Sequence, residues 1–268
     1  MHQAPLEALT LRMQSYPSRI VCLSADSADI LFELGVADRI VGVTAFAAQK
    51  PDGIPCISGF STVHLDKVDA LKPDLVIAFS DVQANAAREL ICRGRNVLTT
   101  NQRSLTDIFH AILLLGRIVG KAHEAEILVQ RMRVQILGVP CSTPMRPKVY
   151  FEEWDEPFIS GIQWVSELIE AAGGCDIFQS LRNRPRAMDR QVTSAQVIAC
   201  SPDVIIASWC GKKADIAAIA RRPGWDAIPA VKLGRIYEIN SDDLLQPGPR
   251  ILKGFERLRE IIQDTRLS

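Results

Sequence analysis

The sequence predicts an α/β protein of two Rossmann-like lobes, each built on a parallel sheet, joined by one long α-helix, with a ligand cleft between the lobes. Three observations carry this expectation. The phrase "PDLVIAFSD" from Pro73 recurs as "PDVIIASWC" from Pro202. Strand-like and helix-like segments alternate through both halves of the chain. A stretch with helical periodicity and no strand-like run separates the halves. Alternation of this kind favours parallel strands with helices on both faces, and 268 residues suffice for two lobes with a core each.

Residues 1–18 form an N-terminal arm, and the N-terminal lobe covers 19–103. "RIVCLSADSADILFELGVADRIVGV" is a strand, a polar loop, an amphipathic helix stopped by Gly35, and a second strand. "VDALKPDLVIAFS" follows as a short helix, a Pro-Asp turn and a strand. Proline cannot continue the helix and pushes the residue before it out of the α region. The β-branched run after Asp74 suits a strand buried on both faces. "NVLTT" closes the lobe.

Residues 104–140 are the linking helices, with Gly120 as a joint. Ala122 to Leu137 would span ~24 Å as a helix. Leu128 and Met132 fall on its core face, and Glu124, Glu126, Arg131 and Arg133 on a solvated one. The C-terminal lobe, 141–268, repeats the plan. "KVYFEEWDEPFISGIQWVSELIEAAGGCDIF" has a longer loop and a helix stop at Gly173-Gly174. "VIACSPDVIIASW" then matches the first copy at Val68/Val197, Ala70/Ala199, Pro73/Pro202, Asp74/Asp203, Ile77/Ile206 and Ala78/Ala207, and "RIYEI" precedes a last helix.

Composition is that of an ordinary globule, 47% apolar and 23% charged with zero formal net charge. Nothing in it marks a nucleic-acid partner or an anionic membrane surface. No apolar run reaches the ~18–20 residues needed for membrane insertion. Seven cysteines, an odd number without a CxxC, argue against a zinc ribbon or a complete disulfide framework and suit a reducing compartment. The first eighteen residues lack the pattern of a signal peptide. The expected location is therefore cytoplasmic as written, or periplasmic if a signal sequence lies upstream.

"RIVCLSADSADILFELGVADRIVGV", "LDKVDALKPDLVIAFSD", "EPFISG", "ELIEAAGG", "QVIACSPDVIIA" and "PGPRILKGFERL" together resemble the helix-linked class of ABC-transporter substrate-binding proteins, from Arg19 onward. That class serves vitamin B12, siderophores, haem and some metals, and the chain is most similar to its corrinoid binders. The resemblance implies a small-molecule binding protein with a corrinoid ligand, aromatic residues lining the cleft, and one acidic residue per lobe that docks on a membrane permease. Asp66 occupies the first docking position. Ala195 replaces the second, which weakens the expectation of a permease partner and leaves a cytosolic role open.

In open parallel sheets, ligands bind beyond the carboxyl ends of the strands. That rule selects Ser24 and Asp26, Phe46, Phe79, Ser80 and Asp81 in the first lobe, with Phe60 close by. In the second it selects Glu152, Glu153 and Trp154, then Trp209, Cys210 and Lys212, then Asp242 and Asp243, with Asp189 opposite Phe60 in the repeat. Phe46, Phe60 and Phe79 supply an apolar wall, unless Phe46 and Phe79 turn back into the core. Asp189, Asp243 and the Glu152-Glu153 pair suggest an acidic wall facing it, suited to a ligand rich in N–H or O–H donors. Strand alternation sends Glu152 and Glu153 to opposite faces. Arg184, Arg186 and Arg190 keep an anionic siderophore or metal-chelate uptake receptor as an alternative. An enzyme on the same cleft, using Glu152, Glu153, Asp189, Cys210 and Lys212, is another.

Cys210 beside Lys212 is either an activated thiol or a small residue at a strand end. The "GK" of "SWCGKKAD" lacks the upstream glycine of a phosphate-binding loop. His2, His64, His110 and His123 stand at no common ligand spacing, so no metal site and no resident cofactor is expected.

Overall fold

In the computed structural model of the chain, which describes residues 16–59, 62–138 and 146–267, the two copies of the Pro-Asp phrase lie in separate sheets. The first half contains β1 (Ile20–Cys22), α1 (Ala25–Glu33), β2 (Ile40–Thr44), β3 (Cys56–Ser58), α2 (Leu65–Ala70), β4 (Leu75–Phe79), α3 (Ala84–Cys92) and β5 (Val97–Thr100). Its sheet runs β3-β2-β1-β4-β5 with every neighbour parallel. Next come α4 (Leu105–Ile118) and α5 (Ala122–Leu137). The second half contains β6 (Lys148–Asp155), β7 (Phe158–Ser160), α6 (Gln163–Ala171), β8 (Cys175–Asp176), α7 (Ser194–Cys200), β9 (Val204–Ala207), α8 (Ile216–Ala220), α9 (Pro229–Lys232), β10 (Ile236–Glu238), α10 (Ser241–Leu244) and α11 (Ile251–Leu267).

The second sheet runs β10-β9-β6-β7, with β8 also on β6. Here β10, β9, β6 and β8 are parallel, but β7 is antiparallel to β6. Only Glu156 and Pro157 separate those two strands, and so short a connection allows a hairpin and no crossover. The sequence pattern had suggested a wholly parallel sheet.

The repeated aspartate has a structural job. Asp74 accepts hydrogen bonds from the backbone N–H of Ser18 and Arg19, while its own N–H donates to the Arg19 carbonyl. In the other lobe Asp203 accepts from the N–H of Lys148 and donates its own N–H to the Lys148 carbonyl. Each aspartate thus pins the entry of its lobe's central strand, β1 or β6, against the neighbouring strand. The residues before the prolines, Lys72 and Ser201, both have positive φ, 47° and 52°. The same tight exit from the helix is therefore built twice with non-glycine residues.

One hydrophobic core runs through both halves. It joins Ile20, Ile77 and Leu31 of the first lobe to Leu115, Leu128 and Met132 of the linking helices, and on to Phe151, Ile169 and Phe255 of the second lobe. Alternation along the strands separates this core from two outer ones. Val21, Val76 and Ala78 face the outer core of the first lobe, and Tyr150, Ile205 and Ala207 that of the second. The helix α5 covers the sixteen residues its spacing suggests, with Leu128 and Met132 buried. It does not stand alone as a rod. The chain turns at Gly120, φ +74°, and α4 packs on α5 so closely that a Cβ at Gly116 would meet the Ala125 Cβ at 2.4 Å.

Asp203→Ala removes a charge-assisted bond to the start of β6 and leaves Lys148 N–H without its partner. The unfolding free energy from denaturant titration should fall by about 1–2 kcal/mol, and Asp74→Ala should behave alike in the first lobe.

Candidate functional site

The carboxyl ends of the strands of both lobes converge on a cavity of about 440 Å3. Ser24 follows β1, Phe46 follows β2, Phe79 ends β4, and Ser80 and Asp81 come directly after it; all five line the cavity. From the second lobe Glu153 and Trp154, at the end of β6, and Cys210, after β9, do the same. Phe46 is 36% exposed, and neither it nor Phe79 turns into the core. Phe60 lies outside the described residues.

Other residues selected from the sequence lie elsewhere. Glu152 is fully buried behind the wall, because alternation puts it on the outer face with Tyr150. It accepts from the Tyr150 hydroxyl at 3.0 Å, from the Trp209 indole N–H at 3.0 Å, and from both Nη atoms of Arg222 at 2.6 and 2.9 Å. Trp209 is thereby turned inward, 5% exposed. Lys212 reaches Asp155 at 2.6 Å and lies 4.2 Å from the Trp154 ring centroid and 4.7 Å from that of Trp209. Asp189 is held by both Nε and Nη2 of Arg186 at 2.9 Å, which keeps its carboxyl below the usual range. Asp243 pairs with Arg250 at 3.1 Å and Lys253 at 2.9 Å, and Asp242 is 3.9 Å from Arg250. Asp26 sits beneath the floor in the first turn of α1.

The acidic wall expected from these residues is therefore absent. Glu152, Glu153, Asp189 and Asp243 each face an arginine. On the wall itself, both Glu153 oxygens accept from Arg190 Nη2 at 2.8 Å, and Oε2 also accepts from the Ile162 N–H at 3.1 Å. Burial raises the Glu153 pKa, and Arg190 opposes that. Arg190, 1% exposed, also donates to the carbonyls of Ser160 and Arg184. Cys210 is not activated: burial first, then the Glu153 and Asp242 charges, push its thiol up, while Lys212 is engaged with Asp155.

Among the lining residues that escaped the strand-end reading are Arg103, Trp164, Met188 and Gln246. Arg103 follows β5 and donates to Asp81 at 2.7 Å; its Nε has no hydrogen-bond partner among the described residues. The strand-end rule applied to "NVLTT" would have found it. Trp164 is fixed by an indole N–H bond to the Leu244 carbonyl at 2.8 Å, and no periodicity signals such a contact. At the wall, Ser80 holds φ +52°, a position that costs a non-glycine residue about 1–3 kcal/mol. Its hydroxyl accepts from the Val82 N–H at 3.3 Å. Among the described residues no group of three or more His, Cys, Asp or Glu side chains is placed to hold a metal ion, and no helix is long and apolar enough to cross a membrane.

Residues 20–242 match the family described as periplasmic binding protein. An uncharacterized ABC transporter substrate-binding lipoprotein of Bacillus subtilis, YvrC, is 29% identical across 92% of this chain and 80% of its own length. A cobalamin-binding protein of Halobacterium salinarum is 25% identical across 95% of this chain and 72% of its own. Among solved structures, the periplasmic haem-binding protein RhuT from Roseiflexus superposes with a TM-score of 0.79 at 22% identity, over 92% of this chain and 98% of that one.

Arg190→Ala would leave Glu153 buried without its cation. The loss in unfolding free energy should be about 3–5 kcal/mol, larger than for Arg186→Ala, whose partner Asp189 is at the surface. Below the floor, burial pushes Asp26 up to about 6 and Asp29 up to about 7, Arg250 opposing the latter. Both values exceed the unfolded value of about 3.9, so between roughly pH 4 and 7 the folded state holds protons the unfolded chain has released. Stability from these two groups is present at low pH and is lost as pH rises through 6 and 7. The melting temperature should fall from pH 5 to pH 8, and Asp26→Asn with Asp29→Asn should flatten that slope.

Proposed function

The chain belongs to the periplasmic binding protein family, and from that premise we propose that its cleft receives a corrinoid outside the cytoplasm and presents it to an ABC permease. The observation that carries the ligand class is the pairing of Phe46 and Phe79 on one lobe with Trp154 and Trp164 on the other around a wall whose carboxylates are already neutralised. Rings on both sides suit a flat, largely uncharged macrocycle; each Å2 of apolar area removed from water is worth about 25 cal/mol. The cobalamin-binding relative supports the same class.

The lipoprotein and transporter description of the Bacillus relative supports an extracytoplasmic receptor with a permease partner. The expectations of a cytoplasmic location and of a weakened permease partnership find no support. Asp66, at the first turn of α2 with its side chain 96% exposed and 2.8 Å from Arg93, is the proposed docking contact of the first lobe. The enzyme alternative keeps only Glu153 and Cys210 of its polar set at the cavity wall, because Glu152 is in the core, Lys212 is on Asp155 and Asp189 is on Arg186. One observation favours a second reading. Arg103, Arg186 and Met188 line the same cavity and suit an anionic iron macrocycle, haem, by its carboxylates and its metal.

Absorption titrations with cyanocobalamin and with haem decide between them. A corrinoid site shows saturable cyanocobalamin binding that Trp154→Ala weakens by about 1–3 kcal/mol. Saturable haem binding with none of the corrinoid selects the second reading, and no binding of either sinks both. Because the core is continuous across the lobes, solution scattering should show almost no change in radius of gyration when the cleft fills.

A further inference from the structure

The linking helix α5 is apolar on two opposite faces. Ala125, Leu128, Val129, Met132 and Ile136 form one face, buried in the shared core. On the other side Ile127, Val134 and Leu137 are 56%, 57% and 58% exposed. Among the described residues no other helix leaves more than one large apolar side chain exposed. The core face already anchors α5, so the outer face is not needed to hold it, and none of its residues lines the cleft. His123, Ile127, Gln130, Val134 and Leu137 are all exposed and follow one another at spacings of 4, 3, 4 and 3 residues. That is the spacing of a coiled-coil seam, and on a helix of 3.6 residues per turn it keeps the five in one narrow stripe.

The charges beside this seam say what covers it. Glu126 and Arg133 precede Ile127 and Val134 and flank the seam on one side. Glu124 and Arg131 follow His123 and Gln130 and flank it on the other. The second set is engaged within the chain, Glu124 with Lys121 and Arg131 with Glu33, each at 2.7 Å. The Glu126 and Arg133 side chains have no ion pair among the described residues. They stand two turns apart, beyond the spacing at which one helix pairs its own charges. A parallel partner helix would bring this flank against the engaged one. An antiparallel partner brings the two free flanks together. With a two-fold axis beside Gln130, Glu126 of each copy comes level, to within a residue, with the Arg133 of the other. Ile127 and Val134 meet across the seam in the same way. One helix face is then complementary to itself, as a closed two-fold contact requires.

We propose that α5 docks on α5 of a second copy of this chain, antiparallel about a two-fold axis beside Gln130. This does not depend on what the cleft binds. One helix pair is a small interface, so the dimer is a transient one, with a Kd of about 100 μM. Sedimentation equilibrium of the full chain between about 10 μM and 1 mM tests it and should show a monomer–dimer equilibrium. Val134→Glu should weaken the dimer at least about tenfold with an unchanged melting temperature, and Leu137→Glu serves if that variant does not fold. Glu126→Arg and Arg133→Glu should each be monomeric alone, because like charges then meet across the axis. Mixed one to one, these two variants should recover the dimer, because each supplies the charge the other lacks. A chain that stays monomeric at about 1 mM overturns the proposal and leaves the face to residues 1–15 or to a different protein. A dimer that survives Val134→Glu, or charge variants that do not rescue each other, overturns it as well.

Discussion

A single hydrophobic core shared by two lobes is the constraint on which the rest of the molecule depends. Ile20 and Ile77 on one sheet and Phe151 and Ile206 on the other belong to the same buried cluster, with Leu115, Leu128 and Met132 of α4 and α5 between them. Rotating the lobes apart would tear that cluster. Exposing even about 200 Å2 of it would cost about 5 kcal/mol at 25 cal/mol per Å2, comparable to the whole stability of many domains. The cleft is therefore a preformed gap held open by packing behind it. The close contact of Gly116 with Ala125 ties α4 to α5, and the bond from the Leu105 N–H to Glu167 Oε2 at 2.7 Å ties the helix pair to α6 of the second lobe.

The duplicated Pro-Asp unit is the local device that makes such a core possible twice. Strand alternation sends every second residue of β1, β4, β6 and β9 inward, so a slip of one residue would exchange the inner and outer faces. Asp74 and Asp203 set that register by holding the backbone at Arg19 and Lys148. A repeated sequence here means a repeated solution to strand registration. Of the residues that differ between the copies at the strand ends, Phe79, Ser80, Asp81 and Cys210 face the cleft, whereas Ser208 and Trp209 are buried.

This explains what could be read from the chain and what could not. The alternation, the boundaries of α5 and the strand ends that form the cleft followed from periodicity and turn chemistry, which are local. Phe46, Phe79, Glu153, Trp154 and Cys210 were reached by position alone. The electrostatic character of the wall was not. Counting Asp and Glu near strand ends suggested an acidic surface, but Arg222 and Arg190 reach Glu152 and Glu153 from segments whose approach depends on tertiary folding, and Arg186 pairs with Asp189 across a single local turn. The antiparallel β7 shows the same limit from the other side: its two-residue turn was visible, but the strand was masked by the loop expected there.

The distinction between Glu152 and Glu153 shows how little separates support from site. They are adjacent, chemically equal, and each is bound by an arginine. Parity along β6 sends the first into the outer core with Tyr150 and Trp225 and the second to the wall of the cleft. The buried pair orients Trp209 and, through the Arg222 guanidinium 4.3 Å from the Phe158 ring centroid, the β6–β7 hairpin. That hairpin in turn carries Trp154 to the cleft. A charge that never meets the ligand thus determines where an aromatic wall stands, and the wall is only as firm as the packing under it.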